Sequence, residues 1–423
     1  MNPLMSRRRF LASSSSALAT LSYAGAPQLF FTDPADAGLR DILIVVFLRG
    51  GADTLNLVVP FNDPNYIANR PALRIPPPGQ TNGAIDLNGQ FGLHPNAQGL
   101  KNLYDLGDLA IVNAVGVMDA TRSHFDAQDY LEKGVPGDKS VQTGWLKRHL
   151  DRAGTPAVIR GLSVGSSTAT VFAGDISAIS MTNASSFIYD GEPSSQQNQM
   201  RLCVRRMYQG TTWLEEVANQ ALDTSDIIEA SAVGTYNPEN GAVYPNTTFA
   251  SNLRLVAQVA KLNLGLQCAN IDVGGGWDTH ENQAGTFSNL VSTVSQGLEA
   301  FWTDMTAWRD RITLCVVTEF GRRLRENASI GTDHGHAWAM MILSGAIQGG
   351  QLYGQWPGLA LEQLDNRTDL AITTDYRAVL GEILIQRVGN PDVGYVFPGV
   401  NLGEGLGLYG PLPSQEPAGI MLR

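Results

Sequence analysis

The sequence predicts an α/β fold, a three-layer sandwich in which helices cover both faces of a central, mostly parallel sheet. Several short apolar runs are continuous, as in Ile42–Leu48, and such runs are typical of strands that are buried on both faces. Longer segments with apolar residues at helical spacing separate these runs. Alternating strands and helices indicate crossover connections, and therefore a parallel sheet.

The individual elements follow from the same two patterns. Strands are expected at the apolar runs Asp41–Leu48, Leu109–Val115, Ala157–Val164, Leu264–Val273, Ile312–Thr318 and Met340–Leu343. Helices are expected at Ala97–Leu106, Phe125–Lys133, Arg201–Leu222, Phe249–Leu262 and Thr286–Trp308. Polar stretches at Ile75–Gln90, Gly165–Met200 and Ser231–Thr248 are interpreted as insertions over one core. Since no linker divides the chain, residues 27–423 are expected to form a single domain.

The first residues indicate export by the twin-arginine route. Ser6–Leu11 matches the pattern S-R-R-x-F-L, a mildly apolar stretch follows at Ala12–Leu21, and Ala24–Ala26 offers an A-x-A cleavage site. The stretch is too short and too polar for a transmembrane helix. A disordered basic tail is the alternative interpretation. We therefore expect a signal peptide at residues 1–26 and a mature protein that is periplasmic or secreted.

Charge and cysteine content exclude several classes of protein. The chain has 423 residues and a formal net charge of −11, which disfavours binding to nucleic acid or to anionic lipid. No run beyond the signal reaches the length of a membrane span. Three cysteines permit at most one disulfide, and two of them, Cys268 and Cys315, lie in apolar runs where a free thiol is expected.

Two short segments combine histidine with aspartate. Three of the six histidines lie in Trp277–His280 and Thr332–His336, with Asp278 before His280, and Asp333 before His334 and His336. Imidazole and carboxylate groups within a few residues of each other are ligands for Zn²⁺-type or mixed N/O metal sites. Each segment follows a predicted strand, where function in open α/β sheets is concentrated. The competing interpretation of each histidine is a surface or hydrogen-bonded core residue.

Other candidate residues also follow predicted strands. Asp53 comes after Gly50-Gly51 and is either a ligand or a cap of a turn or helix. Glu319 directly follows a buried strand, where a carboxylate is costly unless it binds metal or forms an ion pair, here with Arg322 or Arg323.

The segment Asp119–Asp126 precedes a predicted helix and carries further candidates. Ser123 with Asp126 fits a capping box, which by itself explains the serine. A hydroxyl at a helix N-terminus is also well placed as a nucleophile, because the helix dipole favours negative charge there. Arg122 and His124 are candidates for binding an anionic substrate group.

Taken together, these motifs resemble the DUF1501 family of secreted bacterial proteins over nearly the whole chain. The matching segments, besides the twin-arginine signal, are Phe47–Asp53, Ser123–Gln128, Trp277–His280, Thr318–Arg322, Asp333–His336, Thr373–Ala378 and Val396–Gly399. The family is generally grouped with the alkaline-phosphatase and sulfatase superfamily. The resemblance therefore implies an alkaline-phosphatase-like fold and a two-metal template for hydrolysing phosphate or sulfate esters.

On that template, the resemblance implies a role for each matching residue. Asp53 corresponds to the first strand-end ligand, and Ser123 or Thr121 to the nucleophile. Asp278 and His280 correspond to later ligands, and His334 or His336 closes the site. Two departures put the second metal in doubt. The superfamily usually spaces its Asp and His as D-x-x-x-H, whereas this chain has D-x-H at Asp278 and His280. Where the template has an Asp-His pair after the penultimate strand, this chain has Glu319-Phe320, so the histidine is missing unless Asp333-His334 supplies it from a loop. The absence of a C-x-P-S-R stretch argues against a formylglycine sulfatase.

The resulting functional expectation is a secreted hydrolase of phosphate or sulfate esters. It would use one or two divalent ions, Zn, Ca or Mn, and act on a small-molecule or glycan ester. The alternative is a non-catalytic secreted binding or assembly protein on the same fold.

Overall fold

A computed structural model of the chain describes residues 41–155, 157–184, 194–230 and 236–411. The expected signal peptide at residues 1–26 lies outside the described residues. Within those residues, no helix is both long and apolar enough to cross a membrane.

The described strands lie in three sheets. They are β1 Ile42–Leu48, β2 Val58–Val59, β3 Ile85–Asp86, β4 Gly92–Leu93, β5 Leu109–Gly116, β6 Gly161–Val164, β7 Ala178–Met181, β8 Cys268–Val273, β9 Ile312–Val317, β10 Arg322–Glu326, β11 Thr332–His334, β12 Trp338–Ser344, β13 Gln351–Tyr353 and β14 Thr374–Asp375.

The described α-helices mostly connect strands of the main sheet. They are α1 Thr54–Leu57, α2 Pro64–Asn69, α3 Gln98–Asp105, α4 His124–Lys133, α5 Trp145–Ala153, α6 Ser194–Met207, α7 Trp213–Ala230, α8 Thr248–Lys261, α9 Gln283–Asp304, α10 Tyr376–Gln386 and α11 Val393–Val396.

The main sheet is mostly parallel. Its strand order is β13-β5-β12-β9-β1-β8-β6-β7, and β14 pairs with β5 at the end of that strand. Only β12 runs antiparallel to its neighbours β5 and β9. The expectation that β1 and β9 are inner strands is confirmed, because β1 pairs with β8 and β9, and β9 pairs with β1 and β12. The smaller sheets are β2-β4-β3 and the hairpin β10-β11.

Helices cover both faces of the main sheet. Alternate residues of β1 point to opposite sides, as the pleat requires. Ile44 and Val46 join a core that includes α3, α8 and α9. Val45 and Phe47 join a second core that includes α4, α5 and α10. The three-layer sandwich is therefore confirmed.

Some predicted elements differ from the observed ones. The helix expected at Arg201–Leu222 is two helices, α6 and α7, separated by a segment that contains Gly210. The polar stretch Gly165–Met200 contains the strand β7, whose Ala178–Met181 sequence is too short for a periodic signal. The helices α5 and α10 were not predicted. Helix α10 is apolar on most sides because it is almost wholly buried, so it lacks the polar face that marks an amphipathic helix.

The sheet brings four loops to one edge. Strands β1, β8, β9 and β5 share one direction, so the segments that follow them leave at the same carboxyl edge. That edge carries the loop at Gly50, the segment Trp277–His280, Glu319 and the start of α4. The hairpin β10-β11 follows β9 and adds Asp333 and His334.

Candidate metal centre

Two consecutive glycines after β1 let the loops of this edge approach one another closely. Gly50 has a φ of +126°, and a Cβ atom there would lie 2.8 Å from the backbone nitrogen of Asp278. Gly51 has a φ of +68°, and its Cβ would lie 2.4 Å from the ring of Phe320. Residues other than glycine rarely adopt these backbone conformations. The two glycines therefore allow the turn after β1 to pack directly against the loops that carry Asp278 and Glu319.

Glu319 is buried and receives hydrogen bonds from three sides. The backbone N–H of Gly50 donates to both carboxylate oxygens, at 2.9 and 3.2 Å. Gln128 donates to Oε1 at 2.8 Å, and Nδ1 of His124 lies 2.7 Å from the same oxygen. Burial opposes ionisation, but the hydrogen bonds from His124 and Gln128 outweigh it and lower the pKa of Glu319. The alternative of an ion pair with Arg322 or Arg323 is not observed among the described contacts of Glu319.

Three histidines each turn Nδ1 toward an oxygen that can only accept a hydrogen bond. The partners are Glu319 for His124 at 2.7 Å, the backbone carbonyl of Arg122 for His334 at 2.7 Å, and Asp333 for His280 at 3.3 Å. A neutral imidazole that donates from Nδ1 carries no hydrogen on Nε2. When the rings are neutral, these three partners favour a hydrogen on Nδ1 and a lone pair on Nε2.

The three Nε2 atoms converge on the carboxylate of Asp278. Nε2 of His280 and Nε2 of His334 lie 3.0 and 3.2 Å from Oδ1 of Asp278, and 2.9 Å from each other. Nε2 of His124 lies 3.4 Å from Oδ2. One ligand atom each from His124, Asp278 and His334 lie within 4.8 Å of one another. A hydrogen on Nε2 of either His280 or His334, or a cation between these two atoms, relieves the repulsion between lone pairs this close.

One ring nitrogen of this cluster has no hydrogen-bond partner within the described part of the chain. Nε2 of His124 is buried and makes no hydrogen bond there. A buried polar atom without a partner is costly, and a bound ion is one of the accepted explanations for it. Nitrogen ligands with a carboxylate match the donor set of a Zn²⁺-type site. The residues present therefore fit a metal ion.

The charges of the cluster suit cation binding at neutral pH. Partial burial opposes ionisation of Asp278, but the guanidinium of Arg322, which donates to Oδ1 at 2.6 Å, outweighs it and lowers the pKa to about 2. Burial lowers the pKa of His334, which favours its neutral form. The hydrogen bond to Glu319 raises the pKa of His124, which favours its protonated form, so this ring would release a proton on binding an ion. Asp278 is thus ionised, and His334 is available as a neutral ligand.

Arg322 also holds the surrounding loops together. It is buried and donates to the backbone carbonyls of Gly51, Thr332 and Trp277, at 2.5, 2.8 and 3.2 Å, and to that of Gly50. The sequence interpretation considered this arginine only as a partner of Glu319. Its contacts with four separate carbonyls could not be read from the sequence, because they join the β1 loop, the β8 loop and β11.

Asp53 is placed outside this cluster. Its carboxylate forms an ion pair with Arg70, with oxygen–nitrogen distances of 2.5 and 2.9 Å, and both side chains are fully buried. The amide of Gln283 donates to the oxygen Oδ2. Because both oxygens already hold donors and Arg70 balances the charge, Asp53 has a structural role here, and we leave it out of the proposed ligand set.

The other predicted ligands lie around the cluster rather than in it. Asp333 and Glu319 orient His280 and His124 through Nδ1, as described above. Both ring nitrogens of His336 are engaged elsewhere, with Nδ1 2.6 Å from Asp365 and Nε2 2.9 Å from the carbonyl of Asp119. Of the two alternatives for the closing histidine, the structure brings His334 to the cluster.

The segment before α4 differs from its predicted roles in two respects. Ser123 is the N-cap residue of α4, but its side chain makes no capping hydrogen bond, so the capping-box explanation of its hydroxyl is wrong. Arg122 is tied to Asp369 and Asp365 and is not a free anion-binding group. The hydroxyl of Thr121 accepts a bond from the backbone N–H of Ser123 at 3.2 Å. His124, expected to bind an anion, instead joins the candidate metal ligands.

The fold and the cluster together define an α/β protein with a candidate metal centre at the carboxyl edge of a mostly parallel sheet. The chain belongs to the family described as "Protein of unknown function (DUF1501)", which it matches over residues 116–380. The matched region contains every residue of the cluster and begins well after Asp53. No curated protein sequence matches the chain.

Three solved structures show a distant likeness to the chain. The lipoteichoic acid synthase LtaP of Listeria monocytogenes is 12% identical, with 79% of this chain and 71% of that one covered and a TM-score of 0.30. The alkaline phosphatase of the Antarctic bacterium TAB5 is 10% identical, with coverage of 73% and 92% and a TM-score of 0.30. The PsFucS1 sulfatase of Pseudoalteromonas sp. is 12% identical, with coverage of 83% and 70% and a TM-score of 0.32. Likenesses at this level do not place the chain among those enzymes.

Proposed function

We propose that this protein is an exported metal-dependent hydrolase of phosphate or sulfate esters, in which His124, Asp278, His280 and His334 hold one divalent ion. A single observation carries the proposal: the Nε2 atoms of three histidines converge on one carboxylate, and the Nδ1 of each ring faces a hydrogen-bond acceptor. Side chains fixed in this way are characteristic of metal ligands.

The donor set favours zinc, or another transition metal, over calcium. Calcium takes six to eight oxygen ligands, whereas this cluster offers three nitrogens and one carboxylate. Calcium, a hard cation, also needs negatively charged ligands, and the guanidinium of Arg322 offsets the negative charge of Asp278. The engagement of both Asp53 oxygens supports one ion rather than the two of the template.

The ligands are partly open to solvent, which is consistent with a site that admits a substrate. The side chains of Asp278 and His280 are 46% and 40% exposed. A structural zinc site, by contrast, is normally closed by four protein ligands. A bound divalent ion would polarise an ester oxygen and lower the pKa of a nearby hydroxyl.

The start of α4 supplies groups that the chain itself could use in the reaction. Ser123 immediately precedes the candidate ligand His124, and its hydroxyl is not committed to capping. The N-terminus of the helix carries partial positive charge, which stabilises negative charge on an attacking oxygen or on a phosphoryl or sulfuryl group. We therefore retain Ser123 as the proposed nucleophile, and Thr121 as its supporting neighbour.

A second candidate function is a non-catalytic binding or assembly protein that uses the same ion. The buried pair of Asp53 with Arg70 favours it, because that pair takes up the position where the two-metal template needs a ligand. The two candidates share the metal site and differ in turnover.

Elemental analysis and activity assays test the proposal. We expect about one equivalent of a transition metal in the purified protein, and hydrolysis of an aryl phosphate or aryl sulfate that a chelator abolishes. His334→Ala and Asp278→Ala should each lower metal content and reduce turnover at least about 100-fold. Asp126→Asn is the control, because that carboxylate lies in the first turn of α4, near the candidate ligand His124, but pairs with Lys139.

The outcomes separate the two candidates. Metal-containing protein without turnover on any phosphate or sulfate ester would support the binding protein. Protein that binds no transition metal, or variants that retain full metal content, would contradict the metal centre itself.

A further inference from the structure

We propose that Asp365 and Asp369 are positioning residues for the metal centre, which hold its ligand His334 in place through the loop at Arg122. The proposal rests on the proposed function to the extent that His334 is a metal ligand. We call the two carboxylates and the turn between them, residues 365–369, the carboxylate clasp.

The first contact of the clasp is with the side chain of Arg122. Asp369 is fully buried, and its Oδ2 accepts hydrogen bonds from Nε of Arg122 at 2.9 Å and from Nη2. The same Nη2 lies 3.4 Å from Oδ2 of Asp365. A planar guanidinium held through two nitrogens by a buried carboxylate has little freedom to move.

The second contact holds the other end of the same loop. Oδ2 of Asp365 lies 2.6 Å from Nδ1 of His336, whose Nε2 lies 2.9 Å from the backbone carbonyl of Asp119. The clasp therefore fixes the loop of residues 119–123 both at Asp119 and at Arg122. This accounts for His336 without assigning it to the metal.

The loop then reaches the metal centre through one hydrogen bond. The backbone carbonyl of Arg122 accepts from Nδ1 of His334 at 2.7 Å. This bond selects the tautomer that leaves the lone pair of Nε2 facing Asp278. If the loop moves, His334 loses the partner that selects this tautomer, and the ring can turn or carry its hydrogen on Nε2.

The backbone of the clasp is held in an unfavourable conformation. Asn366 and Arg367 both have positive φ, of 49° and 59°. Asparagine tolerates this region, but arginine does so rarely. Two backbone hydrogen bonds close the turn. The N–H of Asp365 donates to the carbonyl of Asp369 at 2.8 Å, and the N–H of Asp369 donates to the carbonyl of Asp365 at 3.1 Å. Strain of this kind persists where the surrounding structure over-determines the backbone, and it is concentrated at functional sites.

Cobalt titration of the full-length mature protein tests the inference. Co²⁺ is the probe, because its visible absorption reports both affinity and ligand geometry. We expect Asp369→Asn and Arg122→Lys each to weaken Co²⁺ binding by about 10- to 100-fold, as is typical for residues that orient metal ligands. The double variant should be no weaker than the worse single variant, since both changes break one contact. Asp126→Asn controls for the loss of one negative charge and should bind as the wild type does.

A second measurement does not depend on metal. The ¹⁵N shifts of His334 in metal-free protein distinguish a hydrogen on Nδ1 from one on Nε2. We expect Nδ1–H in the wild type and a mixture of tautomers in Asp369→Asn. If that variant does not fold, Asp365→Asn, whose carboxylate is partly exposed, takes its place.

Two results would overturn the inference. One is wild-type Co²⁺ affinity in Asp369→Asn when the wild type binds Co²⁺. The other is an unchanged His334 tautomer in that variant. If the wild-type protein binds no Co²⁺ at all, the proposed metal centre fails, and the tautomer measurement still decides whether the clasp positions His334.

Discussion

Glu319 is a buried carboxylate that is stabilised without an arginine partner. An isolated charge in this position would be costly. The backbone N–H of Gly50, the amide of Gln128 and the ring of His124 share the charge instead. One of the hydrogen bonds that stabilise Glu319 also orients His124, so the same side chain stabilises the loops and positions a candidate metal ligand.

Replacing this carboxylate should therefore affect stability and metal binding together. Glu319→Gln replaces one carboxylate oxygen by an NH₂ group, which cannot accept a hydrogen bond. A buried donor that faces this group loses its partner, so we expect the free energy of unfolding to fall by roughly 1–3 kcal/mol. Metal affinity should fall as well, because His124 loses the acceptor on Nδ1. Denaturant unfolding and metal titration measure the two effects. Glu362→Gln, at an exposed position, should change neither, and an unchanged Glu319→Gln would show that the network is unimportant.

At the scale of elements, the turn after β1 shows why this fold needs glycine at one position and tolerates replacement at another. Gly50 has a positive φ and lies directly against the backbone of Asp278. Gly285 lies in the first turn of α9, with open space around the position of a Cβ. Substitution of glycine by alanine should therefore lower the stability of the protein at position 50 and raise it at position 285.

Gly50→Ala should destabilise the protein by about 1–3 kcal/mol and weaken metal binding, because the new methyl group displaces the segment that carries Asp278. Gly285→Ala should stabilise it by up to about 1 kcal/mol, since alanine favours the helix and restricts the unfolded chain. Unfolding curves of the two variants give the comparison. Equal effects of the two substitutions would refute the close approach at Gly50.

A second element-scale feature is the junction of α8, α9 and the segment before α8. The carboxylate of Asp304, at the end of α9, is fully buried. It accepts bonds from Tyr236 at 2.6 Å, Tyr244 at 2.8 Å, the N–H of Glu239 at 2.7 Å and Lys261 at 2.6 Å. Burial opposes ionisation of Asp304, but these donors outweigh it and lower its pKa.

This junction should give a defined pH dependence. Because the pKa is lower in the folded than in the unfolded state, the carboxylate contributes stability above the unfolded value of about 3.9 and loses it as pH falls through the folded value. Asp304→Asn should lower the free energy of unfolding by roughly 2–4 kcal/mol at neutral pH. Urea unfolding should show the difference from wild type shrinking below about pH 4. Asp105→Asn, in an exposed pair with Lys101, should cost at most about 0.5 kcal/mol, and a pH-independent difference for Asp304→Asn would contradict the mechanism.

At the scale of the whole molecule, the candidate site lies at one edge of the main sheet, whereas the apolar cores on the two faces of the sheet stabilise the fold. Both faces of the sheet are covered by apolar cores. The candidate metal ligands lie in the segments that follow β5, β8 and β9. This division lets the loops hold charged groups close together, because the rigid strands behind them fix where each loop begins.

The proposed export concerns the whole chain and is tested on the precursor. The twin-arginine route carries folded proteins, which would suit the proposed metal-binding protein. We expect Arg7→Lys combined with Arg8→Lys to leave uncleaved precursor in the cytoplasm, because the arginine pair is what the export system reads. Cell fractionation measures this, with Arg9→Lys as the matched control at the variable position of the pattern. Mature double variant in the periplasm would contradict the signal interpretation.

The sequence by itself determined the layers of the fold and the segments that carry chemistry. Continuous apolar runs identify strands such as β1 and β9 because burial on both faces imposes a local composition that does not depend on the rest of the chain. The Asp/His segments could be located for a similar reason, since ligand chemistry depends on residue type.

Only the tertiary structure decided which of those residues meet and which hydrogen-bond partners each one has. His124 faces Glu319 across 195 positions of sequence, and Asp53 meets Arg70 instead of a metal ligand. The acceptor that faces Nδ1 of each clustered histidine is set by contacts between loops that the sheet brings together. Such contacts leave no periodic or compositional signal in the chain, because they depend on the order and direction of strands rather than on neighbouring residues.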